Sequence, residues 1–128
     1  MRYTIDRLLP GATIDEADSR TRAALAAAGF GVLTEIDVAA TMQGKLGRTM
    51  DAYRILGACS PAMAWEAIAI EPRVGAMLPC NVILRAVAGG VEVSAIDPVA
   101  SMAAIDNPAL IAVAGQVRAM LGDAVAAI

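Results

Sequence analysis

Histidine is absent from this sequence of 128 residues. Its absence removes the side chain that most often acts as a general base or binds a metal ion, and it leaves no Ser-His-Asp or Cys-His pair. The chain also has no P-loop, and no G-x-G-x-x-G motif opens a helix after a strand. Hydrolase and nucleotide-binding functions are therefore disfavoured, and we expect no catalytic residues.

Cysteine is scarce, with only Cys59 and Cys80. These two form no C-x-x-C motif, and with one carboxylate they make an incomplete ligand set for zinc, so we expect neither a metal ion nor a cofactor. The first seven residues lack the apolar segment of a secretory signal, which favours a cytoplasmic protein with free thiols. A mature chain from which a signal had been removed would look the same.

Positive charge is also limited. The formal net charge is -3, and the ten Lys and Arg residues are scattered, without a run or a stripe. This pattern disfavours binding to nucleic acid. No stretch reaches the roughly 18 uninterrupted apolar residues that span a bilayer, so a membrane partner is not expected.

Aromatic residues are only 3% of the chain, whereas hydrophobic residues are 58%. The core must therefore consist of Ala, Val, Ile, Leu and Met. Alanine accounts for part of the surplus because it also suits exposed helix positions. A subunit interface accounts for it equally well, since homodimer interfaces are more apolar than ordinary surface. We expect both contributions, and a homo-oligomer rather than a monomer.

Alternation of apolar and polar residues predicts five strands, at residues 2–8, 30–38, 52–58, 77–87 and 91–97. Gly89 and Gly90 are predicted to be the two turn residues of a hairpin between the last two strands. Residues 39–46 are predicted to form a short helical turn.

Three helices are predicted from their N-terminal capping residues, Thr13, Ser60 and Asn107. They are expected to end near residues 29, 70 and 128. The resulting order, β-α-β-β-α-β-β-α, does not fit a doubly wound parallel sheet. It predicts a single α+β domain in which an antiparallel sheet packs against helices on one face, including a long C-terminal helix.

One group of polar and thiol side chains lies at predicted strand ends. Counting outward from the hairpin turn sets Val82 opposite Asp97, so Cys80 and Asn81 lie where Asp97 leaves the sheet. Cys59 also ends a strand, directly before a helix whose N-terminus favours the thiolate form. Spacing does not encode strand order, so it leaves open whether the two cysteines share one end of the sheet. These four residues are the candidates for binding a ligand or for redox chemistry.

A structural role fits the same residues. Cysteine is often a small buried hydrophobe, Asp97 before Pro98 fits a strand stop, and Asn81 fits a cap for backbone groups. Trp65, on the second predicted helix, is more typical of a core or an interface than of a stacking platform.

Four sequence blocks follow one another along the chain, at residues 29–38, 53–61, 78–82 and 94–98. Their residues, order and spacing resemble the domain of unknown function family 302, although Ser60 stands where the family often has asparagine. The resemblance extends over nearly the whole chain. It implies a curved antiparallel sheet that grips a long C-terminal helix, and a homodimer. It supplies no catalytic residues, although some members are associated with sulfur oxidation.

Three functions remain open. The first is a homodimeric binding or accessory domain without catalytic activity, which holds a small-molecule ligand or a protein partner in the cleft between sheet and long helix. The second is a thiol-dependent sulfur carrier or redox accessory protein that uses Cys59 or Cys80. The third is a structural subunit of a larger assembly.

Overall fold

The computed structural model describes residues 2–128, and its centre is a sheet of five antiparallel strands. The order across the sheet is β1-β5-β4-β3-β2, and every neighbouring pair is antiparallel. The strands are β1 (Thr4–Pro10), β2 (Gly31–Asp37), β3 (Tyr53–Cys59), β4 (Cys80–Val87) and β5 (Gly90–Ile96). The prediction of an α+β domain with an antiparallel sheet is confirmed.

Within residues 2–128, five α-helices and one 3₁₀ helix accompany the sheet. They are α1 (Ile14–Ala27), α2 (Val38–Leu46), α3 (Pro61–Ile70), the 3₁₀ helix Pro72–Met77, α4 (Pro98–Met102) and α5 (Pro108–Ala126). The predicted order omitted α4, and the turn predicted at residues 39–46 is a nine-residue helix. The predicted start of the fourth strand at Met77 is wrong. The strand begins after Pro79, which has no N–H to give to a ladder.

Alternating side chains of the central strands form the core. Leu56 of β3, Val82 and Leu84 of β4 and Val93 of β5 are each 0% exposed. Helices α1 and α5 contact each other and this face of the sheet. Of the intervening residues of β4, Asn81 and Arg85 are exposed and Ile83 is half-buried, so the alternation in the sequence separates the two faces as a half-buried strand requires.

The β4–β5 hairpin differs from its prediction in register. Val87 pairs with Gly90, so the turn residues are Ala88 and Gly89, and Val82 pairs with Ala95 rather than with Asp97. The shift is two residues, which keeps every side chain on its predicted face. Gly90 is needed in the strand because a Cβ there would lie 2.2 Å from the backbone oxygen of Leu9 in β1.

Side-chain caps begin two of the predicted helices. The Thr13 hydroxyl accepts a hydrogen bond from the backbone N–H of Glu16, and the Asn107 side-chain oxygen accepts one from Leu110. Ser60 occupies the N-cap position of α3 but makes no side-chain capping bond. The N–H groups at the start of α3 have no acceptor within the helix, and the Ser60 side chain does not accept a hydrogen bond from them.

Helix α5 is the longest helix, at 19 residues. By length and apolar composition alone it is able to cross a membrane, a property that core helices of soluble domains share. Its buried residues recur at three- and four-residue spacing and pack on the sheet and on α3 and α4. They are Leu110, Val113, Ala114, Val117, Leu121, Ala124 and Val125.

Candidate functional site

The two cysteines lie at the same end of the sheet, on neighbouring strands. Cys80 begins β4 and its backbone neighbour across the ladder is Ala58, the residue before Cys59. Strand order therefore settles what the sequence left open. Cys80 is 6% exposed, whereas Cys59 is partly accessible, and both are free thiols.

Both thiols line a small apolar cavity, which we call the thiol cavity. Helix α3 contributes Met63 and Ala67, α4 contributes Met102, and α5 contributes Ala114 among others. The cavity volume is about 30 Å³, more than the roughly 10–15 Å³ that one water molecule needs. A larger ligand requires its walls to move, and methionine side chains adapt readily because they are unbranched and flexible.

The environment of Cys80 favours the protonated thiol. Burial, and to a smaller extent the negative charge of Cys59, together raise the pKa of Cys80 from 9.0 to about 11. The second contribution requires the two sulfurs to be within electrostatic range of each other. At neutral pH, Cys80 is therefore a neutral, soft, apolar side chain rather than a nucleophile.

Asp97 lies at the same end of the sheet but is bonded to protein groups. Its Oδ1 accepts hydrogen bonds from the backbone N–H groups of Val99 at 2.9 Å and Ala100 at 3.4 Å. Its Oδ2 is 3.1 Å from Nε of Arg118. The side chain of Asp97, which is 10% exposed, thus caps α4 and holds that helix where Met102 lines the cavity.

Asn81 lies outside the thiol cavity. It is exposed and follows Cys80 on β4, so the alternation of the strand directs it to the opposite face of the sheet. Of the four candidate residues, the structure brings Cys59 and Cys80 together at the cavity, with Asp97 supporting its wall.

Sequence analysis missed the two methionines of the cavity. Met63 is on α3, and Met102 is on α4, a helix that was not predicted. The residues are far apart in the chain and follow no common spacing. Among residues 2–128, no three His, Cys, Asp or Glu side chains converge on a metal-sized site.

A second hollow lies between α1 and α5. It is wider and more open to solvent, and it is lined by five alanines with Met120 and Asp123. We call it the alanine groove. Its lining includes one titratable side chain and no thiol, so it offers less chemistry than the thiol cavity.

Comparison with models of known protein families shows to which family this chain belongs. The model of the domain of unknown function DUF302 matches residues 7–128. The chain belongs to this family. No curated protein matches it.

A solved DUF302 structure has the same fold. The crystal structure of an uncharacterised conserved DUF302 protein from Bacillus stearothermophilus superposes with a TM-score of 0.87 at 25% sequence identity. The match covers 97% of this chain and 94% of that one. DUF302 membership therefore extends over nearly all of the structure, including the strand ends that carry both thiols.

Proposed function

We propose that this DUF302 chain is a homodimeric binding or accessory protein without catalytic activity, which takes a small apolar ligand in the thiol cavity. The observation that carries this proposal is the cavity itself, which is lined almost entirely by apolar side chains at the open ends of β3 and β4. A cavity of this kind holds water poorly, because a buried water needs two to four polar partners. It therefore favours an apolar occupant.

The proposal places the protein in the cytoplasm, where both thiols stay reduced. Cys59 and Cys80 are its ligand contacts. Asp97 acts indirectly by capping α4, and Asn81 has no part in the site because it lies on the other face.

The cavity predicts xenon binding, since xenon enters dry apolar cavities. Under xenon pressure, we expect the ε-methyl resonances of Met63 and Met102 to shift in a ¹³C-methyl NMR spectrum. The exposed Met42 and Met50 are internal references that should not shift. Ala114→Leu fills the cavity and should abolish the response.

The matched control is Ala27→Leu, which makes the same substitution in the alanine groove and should leave the xenon response intact. Ala64→Leu, at a half-buried cavity position on α3, replaces Ala114→Leu if that variant does not fold. Unshifted Met63 and Met102 resonances in the native protein would contradict the proposed binding site.

An exposed apolar surface on α3 supports the homodimer. Trp65 is 81% exposed and Ile68 is 46% exposed, and with Pro61, Ala62 and Ala69 they form one outward stripe at helical spacing. We call this stripe the α3 ridge. A core position for Trp65 is thus wrong, and the interface alternative remains. Tryptophan is enriched among the residues that dominate interface energetics.

Dimerisation through the α3 ridge predicts that Trp65→Glu weakens self-association. A dominant interface residue contributes about 2 kcal/mol or more, so we expect the dimer dissociation constant to rise about 30-fold or more. Sedimentation velocity over a concentration series measures it. Leu33→Glu is the control, because Leu33 is 67% exposed but lies on the edge strand β2.

Two results would contradict this assignment. A native protein that stays monomeric at the highest concentration contradicts the homodimer. A dimer broken by Leu33→Glu and not by Trp65→Glu contradicts the α3 ridge, and would place the interface at the sheet edge.

The proximity of the two thiols also supports the thiol-dependent alternative, a sulfur carrier or redox accessory protein. The raised pKa of Cys80 disfavours it as the attacking group, because the thiolate is the nucleophile. That alternative therefore depends on Cys59, the more accessible thiol.

A further inference from the structure

Four sulfur-containing residues from separate parts of the fold line the thiol cavity. Cys59 and Cys80 come from adjacent strand ends, Met63 from α3 and Met102 from α4, and all four line the same cavity. The sequence has nine sulfur-containing residues in total, seven Met and two Cys. Placing four of them, including both thiols, around about 30 Å³ of space makes sulfur the main donor element of the site.

We infer that the thiol cavity is a binding site for a soft monovalent metal ion, Cu(I), held by the sulfurs of Cys59 and Cys80 and by a thioether of Met63 or Met102. Soft thiolate and thioether ligands select Cu(I), whereas carboxylate and carbonyl oxygens suit Mg²⁺, Ca²⁺ and Mn²⁺. This inference rests on the proposed function, whose binding cavity it uses, and adds a second kind of ligand there: a soft cation that the sulfurs bind in place of an apolar ligand.

The chemistry of the lining excludes the more common alternatives. Zn²⁺ structural sites use four ligands drawn from cysteine and histidine, sometimes with carboxylates. This chain has two cysteines and no histidine, and the carboxylate of Asp97, at the same end of the sheet, is bonded to α4 and Arg118. Thioethers are weak ligands for such borderline ions but suit Cu(I).

The binding of Cu(I) by the two thiols balances in protons and charge. Cu(I) displaces the proton of each thiol, so two thiols and Cu⁺ give a bis-thiolate complex with one net negative charge and release two protons. No oxidant or reductant takes part. The N-terminus of α3 directly follows Cys59, and Ser60 leaves its first-turn N–H groups without a side-chain acceptor. Their partial positive charge stabilises the anionic complex.

The test is an anaerobic titration of the reduced protein with Cu(I), buffered by a chromophoric Cu(I) chelator. We expect one ion per chain by native mass spectrometry, release of close to two protons in an unbuffered pH-stat measurement, and loss of maleimide reactivity at Cys59. Ag(I) should bind in the same way as a redox-inert probe, and Zn²⁺ should not compete.

Substitutions distinguish the sulfur site from adventitious binding. Cys59→Ser and Cys80→Ser should each lower Cu(I) affinity by about 100-fold or more, with Cys80→Ala as the second variant if the buried serine prevents folding. Met63→Leu or Met102→Leu should lower it about tenfold. Met120→Leu makes the same change in the alanine groove and should leave the affinity unchanged.

Each contrary result has a separate meaning. If xenon shifts the two methionine methyl groups but Cu(I) binding is absent, or is unaffected by both cysteine substitutions, the metal inference fails and the apolar cavity stands. If Cu(I) binds through the cysteines with no effect of either methionine substitution, the thioether ligand is wrong. If neither xenon nor Cu(I) enters, the site and the proposed function fail together.

Discussion

Gly90→Ala is expected to destabilise the protein by about 3 kcal/mol, combining an overpacked contact with a strained backbone. Gly90 has φ +156°, and an added Cβ would lie 2.2 Å from the Leu9 oxygen and 3.0 Å from the Gly11 nitrogen. Both contacts are with backbone atoms of the β1 end, which cannot rotate away as a side chain can. The close contacts are relieved only if β1 moves away from β5, which breaks the hydrogen bonds between these two strands.

Gly89→Ala is the matched control for this effect. Gly89 has φ +88°, but an added Cβ would meet nothing within 4 Å, so the substitution costs only the left-handed conformation, about 1–2 kcal/mol. Urea unfolding followed by circular dichroism measures both variants, because the exposed Trp65 is a poor reporter of the core. Equal losses for the two alanines would show that close packing at Gly90 has no role.

Stability should fall between about pH 9 and pH 11 because of Cys80. Folding raises the pKa of this thiol from 9.0 to about 11, so the folded state keeps a proton that the unfolded state loses in this range. The stabilisation is fully present below pH 9 and is lost as the pH rises through the folded pKa. A two-unit difference corresponds to about 2–3 kcal/mol.

Comparison of variants isolates this contribution from the other groups that titrate at high pH. Urea unfolding under reducing conditions, at pH values from about 8 to 11, should give a steeper loss for the native protein than for Cys80→Ala. Cys59→Ala should still lose most of this stability at high pH, because burial raises the pKa of Cys80 more than the charge of Cys59 does. Parallel curves for the native protein and Cys80→Ala would contradict the buried thiol as the source.

The local parts of the fold were predictable because their causes are local. The Thr13 cap acts on a residue three positions away, and Asn107 does the same. The strands were recognisable because alternate residues face an apolar core, as Val82 and Leu84 do. These features depend on a few neighbouring residues, which a sequence displays directly.

The hairpin register was not predictable, because its cause is distant. Two adjacent glycines normally indicate the turn itself, yet Gly90 is required by the approach of Leu9 from a strand about 80 residues earlier in the chain. The thiol cavity depends likewise on β4 lying beside β3, and on a helix, α4, of only five residues. The spacing of residues along the chain predicts neither the strand order nor this short helix.

Trp65 shows that the exposed face of a helix is also difficult to predict from sequence. The α3 sequence is apolar on nearly all sides, so its composition does not distinguish the face that meets the core from the face that does not. The structure turns Ala67 inward and Trp65 outward.

The pairing of β1 with β5 also determines when the sheet is completed during synthesis. Thr4 pairs with Ile96 and Pro10 with Gly90, and β1 is an edge strand with no other neighbour in the sheet order. Strand β1 therefore leaves the ribosome well before β5, and its hydrogen bonds to the sheet form only after β5 has been synthesised. Contacts this distant in the chain slow folding, because a long loop must close before they form.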